Sequence, residues 1–587
     1  MSQYSIGIDL GTTNSALAFT AVGSEAPAVE LALIPQLTAV NEISSEPLLP
    51  SFLYIPGSGE FPAGSIALPW NAEPEYLVGK LAQRRGAEVS SHLVSSAKSW
   101  LSYSSVDRTS AMLPGKAADG LRRISPVDAS AEYLKHLRAA WDSEHPEAPF
   151  AEQDVLVTVP ASFDAIAREL TQRAAEAAGF RNLTMLEEPQ AAFYAWIERH
   201  ADWRQRVSKG DLVLVVDIGG GTTDFTLIAV TEREGELELE RVAVGEHILL
   251  GGDNIDLALA HTVAAELAAK GTKLDSFQMQ ALWNNCRLAK EQLLDPASQV
   301  DEVPVTILGK GSKLIGGTIR AALRRDQIEQ VLEAFLPRVA STDMPQGARR
   351  AALQEMGLPY AQDAAITRHL AKFLRQGGEL ACPTHVLFNG GVLRAPFVRE
   401  RIPEVLNAWL AEAGKPPVRP LTGEDLMHAV ARGAAYYGAA RRGQGVRIRG
   451  GIARSYYVGI ESAMPAVPGI PSPLKALTVA QFGTEEGTAT RIPDREFGLI
   501  VGQPAEFRFF CSATRRNDAP GSLIEDFGDE LEELSPVEVR LTADGRNAEI
   551  VPVSFETVIT ETGMLQLWCV ARDGQRWKLE FNVRETV

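Results

Sequence analysis

Ile8-Asp9-Leu10-Gly11-Thr12-Thr13-Asn14-Ser15 and Val216-Asp217-Ile218-Gly219-Gly220-Gly221-Thr222-Thr223-Asp224 are the two stretches that decide the fold of this chain. The first follows an apolar run at 5–8 and leads into another at 16–19; the second follows 212–216 and leads into 225–230. Two β-like runs around a polar, glycine-containing tip predict a hairpin. The same hairpin therefore occurs twice, too far apart for a solenoid repeat, which predicts two similar lobes facing a common cleft.

The tips have the chemistry of a nucleotide clamp. A nucleoside triphosphate needs backbone amides, hydroxyls, a cation and carboxylates that hold magnesium. Asp9 and Asp217 stand at the same place in each tip, where two carboxylates from opposing lobes could hold a hydrated Mg2+ between them. Thr12, Thr13, Gly219, Gly220, Gly221 and Thr222 offer hydroxyls and glycines for close approach to phosphates. As an isolated feature, either aspartate could simply cap its turn.

Outward from the hairpins, strands and helices alternate. Residues 154–159 read as a buried strand and 163–178 as an amphipathic helix. A strand at 386–388 enters the turn Asn389-Gly390-Gly391-Val392-Leu393-Arg394-Ala395-Pro396, whose amides could face an anion, before a helix at 397–409. From about Arg441 the chain becomes basic and Gly-rich, which marks a domain boundary. Beyond it, runs at 505–511, 537–541, 557–559, 565–570 and 577–583 predict a small β-rich module, in which the acidic stretch 525–535 reads as a solvated loop.

Composition sets the limits. With 587 residues, 45% hydrophobic and 22% charged, the chain should fold into several compact units. A net charge of -18 argues against a nucleic-acid surface. Four scattered cysteines suit a reducing cytoplasm, and no segment reads as a leader or membrane span.

The paired tips resemble the two phosphate loops of the DnaK-type, seventy-kilodalton heat-shock chaperone family. The resemblance continues through Val157-Thr-Val-Pro-Ala-Ser-Phe163, Glu187-Glu-Pro-Gln-Ala-Ala192, Gly251-Gly-Asp-Asn-Ile-Asp256, Asn389–Pro396 and Ala431-Arg-Gly-Ala-Ala435, over roughly three-quarters of the chain. It implies an actin-like α/β ATPase fold of two ribonuclease-H-like lobes over 1–441, a linker at 442–452 and a β-rich, sandwich-like domain over 453–587. It further implies that Lys98 orients water and phosphates, that Glu188, in a Glu-Pro-Gln turn, and Asp224 position water and magnesium, and that Pro160 and Arg168 relay nucleotide state. Gly11, Asn14, Gly251, Gly252, Lys290, Gly390, Gly391 and Arg394 then join the phosphate, ribose and purine contacts.

Several positions depart from the family pattern. Arg287, Glu291 and Leu294 stand where a Glu, a basic residue and a Ser recur, which leaves the base contacts open. Segment 340–381 is longer than its counterpart and reads as extra helix. The apolar, acidic linker is replaced by Arg441-Arg-Gly-Gln-Gly-Val-Arg-Ile-Arg-Gly-Gly451, the tail at 555–571 with its Thr562-Gly563 turn only faintly resembles the family's β-sandwich, and no helical lid follows. The expectation is an ATP-dependent chaperone using ATP/ADP and Mg2+, with an unfolded or dedicated client and a co-chaperone or exchange partner. The alternatives are a nucleotide-dependent scaffold and, more remotely, a small-molecule kinase of the same two-lobed fold.

Overall fold

The computed structural model describes residues 2–23, 28–103, 105–118, 120–233, 236–295, 298–308, 318–347, 358, 360–376, 378–423, 425–442, 452, 454–462, 474–485, 487–492, 495–512, 515–525, 527, 530–534, 537–541, 549–560 and 564–582. Two compact units emerge, Met1–Thr231 with Arg241–Arg447, and Glu232–Glu240 with Ile448–Val587. No described helix is long and apolar enough to cross a membrane.

The first unit contains two sheets of like topology. In one, Leu183–Glu187, Asp154–Val159 and Tyr4–Leu10 run parallel, Asn14–Ala21 returns antiparallel, and Glu30–Leu31 and Leu49–Pro50 pair onto it. In the other, Arg419–Leu421, His385–Asn389 and Leu212–Ile218 are parallel, Thr223–Arg233 returns antiparallel, and Glu236–Val244 lies beyond. Asp154–Val159 and His385–Asn389 are buried along their whole length, as expected of parallel strands covered on both faces. Each sheet has its own core, around Ile6, Val155 and Leu134 in one and Leu214, Val386 and Leu259 in the other.

Local signals set the helices. The one expected at 163–178 forms over Ala165–Ala177, where Asp164 accepts the Ala167 N–H at 2.6 Å as its cap. Glu188 is not in a turn, as the sequence suggested, but opens helix Glu188–Arg199; Pro189 sits in the first turn, where its missing N–H costs no helical bond. Helix Ala429–Ala440 lies against strand Tyr4–Leu10 and helix Glu188–Arg199 through small residues. A Cβ at Gly433 would fall 1.7 Å from the Ala191 carbonyl oxygen, and one at Gly7 would fall 2.2 Å from that of Ala431. In the long segment at 340–381, helix Ile366–Leu374 forms, while 348–357 lie outside the described residues.

In the second unit, Leu523–Ile524, Leu474–Ala480, Ser455–Glu461, Phe509–Ser512 and Glu532–Glu533 form one sheet. Thr488–Arg491 and Phe497–Val501 both pair with Glu549–Ile559, which continues through Met564–Ala571 to Arg576–Asn582 in another. Val458 and Leu477 from the first sheet and Val553 and Leu567 from the second belong to one apolar core. The run at 505–511, expected as one strand, breaks at Arg508: Pro504–Phe507 pairs with Val537–Arg540, and Phe509–Ser512 with Ser455–Glu461. The Arg508 carbonyl accepts the Gly459 N–H at 2.8 Å where the chain changes partners.

The acidic stretch is more than a solvated loop. Glu525, Glu530, Glu532 and Glu533 pair with Lys475, Arg515, Arg454 and Arg508, and Glu532–Glu533 forms a sheet edge. Each such surface pair contributes about 1 kcal/mol or less. The Thr562-Gly563 turn and residues 443–451 of the basic stretch lie outside the described residues.

Candidate functional site

The two hairpins place their aspartates identically. Tyr4–Leu10 and Leu212–Ile218 are both seven-residue strands, with Asp9 and Asp217 at the sixth position and the same alternation of burial along each. The tips meet in space: a Cβ at Gly220 would fall 1.8 Å from Thr13 Oγ1, and one at Gly221 would fall 2.9 Å from Thr12 Cγ2. Glycine at these positions is what allows the lobes to approach. The cleft between them has a volume of about 260 Å³.

Asp9, Gly11, Thr12, Thr13, Asn14, Lys98, Glu188, Asp217, Gly219, Gly220 and Thr222 all line this cleft. Lys98 and Glu188 are buried and paired at 2.5 Å, and Asn389 donates to Asp217 at 2.6 Å. Burial and the neighbouring Glu188 raise the Asp9 carboxyl to about 7, against the pull of Lys98. Burial and Glu188 also push Asp217 well above the carboxylate range. Glu188 is raised too, because burial outweighs the attraction of its partner Lys98. Burial lowers Lys98, but Glu188 and Asp9 more than offset it and hold the ammonium above its usual range.

A stability slope follows from Asp9. Between about pH 4 and the raised value of about 7, the folded carboxyl keeps a proton that the unfolded chain has lost. The folded state therefore binds more protons, and its Asp9-linked stability falls as pH rises through that window. Urea midpoints in magnesium- and nucleotide-free buffer should show this slope, and Asp9→Asn should reduce it, leaving the part of the same sign that the raised Asp217 and Glu188 contribute. An unchanged slope in the variant would assign the effect to other groups.

The far side of the cleft is built on two helices. Gly251 caps helix Gly252–Ala269 and packs on the second tip, where its Cβ would meet the Gly219 carbonyl at 2.7 Å; Gly252 lines the cleft. Lys290, Arg287 and Glu291 face the cleft from helix Ser276–Leu293, with Leu294 at its C-cap. Arg287 donates to Asp253 at 2.6 Å and Asp256 at 3.0 Å, and Lys290 Nζ lies 2.7 Å from Asp256. Gly390, Gly391 and Arg394 complete the wall; Gly390 has φ 97° and packs against the Ile218 backbone, a conformation and an approach that exclude a side chain.

Some expected residues stand apart from the cleft surface. Gly221 and Gly251 serve the contacts between tips and helix rather than lining it. Asp224 pairs across the hairpin with Asp217, but its carboxylate accepts from the Ser162 hydroxyl, which lies 2.7 Å from His247 Nδ1. Burial raises Asp224, yet the His247 and Ser162 hydrogen bonds outweigh it and hold the carboxyl low. Arg168 is buried, donating to the Phe163 and Ala161 carbonyls and to Glu187 at 3.1 Å, beside Pro160. Ser162, His247, Asn389, Asp253 and Asp256 were not singled out from the sequence as site groups. Ser162, Asp253, Asp256 and Asn389 lay within quoted motifs but His247 did not, and no spacing rule connects Ser162 to His247.

The family model described as Hsp70 protein matches residues 5–449. The chain belongs to the Hsp70 family. Among curated proteins, this Hsp70 chain is 29% identical over 447 residues to a "Chaperone protein HscA homolog" of Bordetella pertussis, covering 74% of this chain and 57% of the relative. It is 28% identical over 458 residues to an HscA homolog of Azotobacter vinelandii, covering 76% and 59%. Identity to a "Chaperone protein DnaK" of Psychrobacter cryohalolentis is 28% over 327 residues, covering 55% and 43%. The chain thus spans little more than half the length of the two HscA homologs and less than half of the DnaK, and the family match at 5–449 falls largely on the unit that holds the cleft.

Proposed function

We propose that this Hsp70 protein binds and slowly hydrolyses ATP with Mg2+ in the cleft, and that nucleotide state biases the affinity of its β-rich unit for an unfolded or dedicated client. Residues 1–441 carry the ATPase, 442–452 the linker and 453–587 a β-sandwich-like client domain. One observation carries the reading: the buried Lys98–Glu188 pair stands with Asp9 and Asp217 in a cleft walled by two Gly/Thr tips.

The residues present suit magnesium. Asp9 and Asp217 are hard oxygen donors whose carboxyls are raised first by burial and then by the neighbouring Glu188, and a divalent cation would favour their charged forms there. Among the described residues no three His, Cys, Asp or Glu side chains converge to hold an ion directly, so Asp9 and Asp217 would hold it through water. Bound there, the ion would neutralise phosphate charge. Lys98 supplies the fixed cation, Glu188 holds and orients water with Asp224 supporting it from behind the cleft surface, where Ser162 and His247 hold the Asp224 carboxylate, and the amides and hydroxyls of Gly11–Asn14 and Gly219–Thr222 cradle the phosphates. Lys290 serves the ribose and Arg394 the purine. Hydrolysis by alignment and charge neutralisation needs no covalent step, which suits a slow switch.

The test is isothermal titration of ATP and ADP with Mg2+ on the full chain and on Asp217→Ala, followed by phosphate release with and without an unfolded polypeptide. Expected are binding by the wild type, loss of turnover in the variant and stimulation by the polypeptide. Binding without phosphate release under any condition would leave a nucleotide-dependent scaffold. Absence of nucleotide binding would overturn the site itself.

A further inference from the structure

Four residues that line the cleft, Arg287, Lys290, Glu291 and Leu294, recur at three- and four-residue spacing and so share one face of helix Ser276–Leu293 and its C-cap. Their polar groups are not equally available. Arg287 is 4% exposed, held by Asp253 and Asp256 and stacked over Phe52, and Lys290 is taken up by Asp256. Glu291 differs: among the described residues its carboxylate makes no hydrogen bond or ion pair. Burial pushes it above the usual carboxylate range despite the pull of Lys290, Arg287 and Arg394. Facing the cleft with no donor from the protein among the described residues, this half-buried carboxylate is placed to accept hydrogen bonds from a ligand. Leu294, Leu332 and Val392 make the cleft apolar beyond the phosphate loops, and Arg394 is tied to Asp295 at 3.3 Å.

We infer that Glu291 selects the base in this cleft, accepting hydrogen bonds from N–H groups on the edge of a purine, and that it thereby admits guanine nucleotides alongside adenine nucleotides. Guanine presents two adjacent donors, N1–H and the N2 amino group, which a carboxylate accepts in bidentate fashion. Adenine presents only its N6 amino group and sets the acceptor N1 beside it, against the second carboxylate oxygen. A site whose polar group is matched by one base and left partly unpaired by another discriminates between them. This inference rests on the cleft being the nucleotide site proposed above.

The experiment is titration of Mg-ADP and Mg-GDP into the full chain and into Glu291→Gln and Glu291→Ala. Expected are GDP affinity within about ten-fold of ADP in the wild type, and a loss of roughly ten-fold or more for GDP in both variants, with ADP changing far less. Retained ADP binding shows that each variant is folded. Wild-type protein that binds ADP but takes GDP more than about a hundred-fold more weakly overturns the inference and leaves the nucleotide site standing. Equal losses for ADP and GDP in Glu291→Ala also overturn it, because Glu291 would then read the ribose common to both. Failure of the wild type to bind either nucleotide overturns the site reading and this inference with it.

Discussion

Replacing Lys98 by alanine is expected to cut phosphate release by roughly 10²–10³-fold, the usual effect of removing one preorganised electrostatic group. Lys98 is the buried ammonium among Asp9, Glu188 and Asp217, and three carboxylates without it repel one another in a desolvated cleft. Breaking a buried pair on one side typically costs about 3–5 kcal/mol, because the partner charge is left behind. The nucleotide-free variant should therefore unfold at lower urea concentration, and Mg-ADP should recover part of the difference by returning positive charge to the cleft. Single-turnover phosphate release and urea melts with and without Mg-ADP read both effects. Unchanged turnover would remove Lys98 from the machinery, and an unchanged melt would mean that the carboxylates discharge by taking up protons.

The second large effect is structural. Gly433→Val should destabilise the first unit at or beyond the upper end of the about 1–3 kcal/mol range for overpacking. The added Cβ would stand 1.7 Å from the Ala191 carbonyl oxygen, a backbone atom inside helix Glu188–Arg199 that cannot rotate away. Helix Ala429–Ala440 also lies on strand Tyr4–Leu10, where Ser5 Oγ donates to the Ala435 carbonyl at 3.1 Å. Pushing the helix outward would disturb the strand that carries Asp9 and the helix that begins at Glu188. Nucleotide binding should fall together with the melting temperature. Gly115→Ala is the control, since its added methyl meets nothing within 4 Å. A melting shift for Gly433→Val no larger than the control's would mean that the helices slide apart at little cost.

How much was legible can be seen residue by residue. The strand-tip-strand units around Asp9 and Asp217 could be read directly, because hairpin periodicity, tip glycines and the carboxylate all fall within one short window. The strand at 154–159 was legible for the same reason, its apolar run matching burial on both faces. Helix Pro126–Glu144 went unremarked although Ser125 caps it, as did the helix that opens at Glu188, where the Glu-Pro-Gln motif looks like a turn. Proline in a first helical turn and proline in a turn carry the same local signal.

The sequence by itself determined that two like hairpins exist, that each ends in an aspartate and a phosphate-sized polar tip, and that a β-rich unit follows a basic, Gly-rich stretch. These properties depend on near neighbours in the chain. Tertiary structure alone decided the choice of partners: Asp224 with Ser162 and His247, Arg287 with Asp253 and Asp256, the acidic strip with basic residues of other strands, and Glu291 with none among the described residues. Those pairings depend on which side chains burial brings together. At a few ångströms in a desolvated cleft, charge and hydrogen bonding are strong enough to set each group's protonation and role, and chain separation carries no record of that distance.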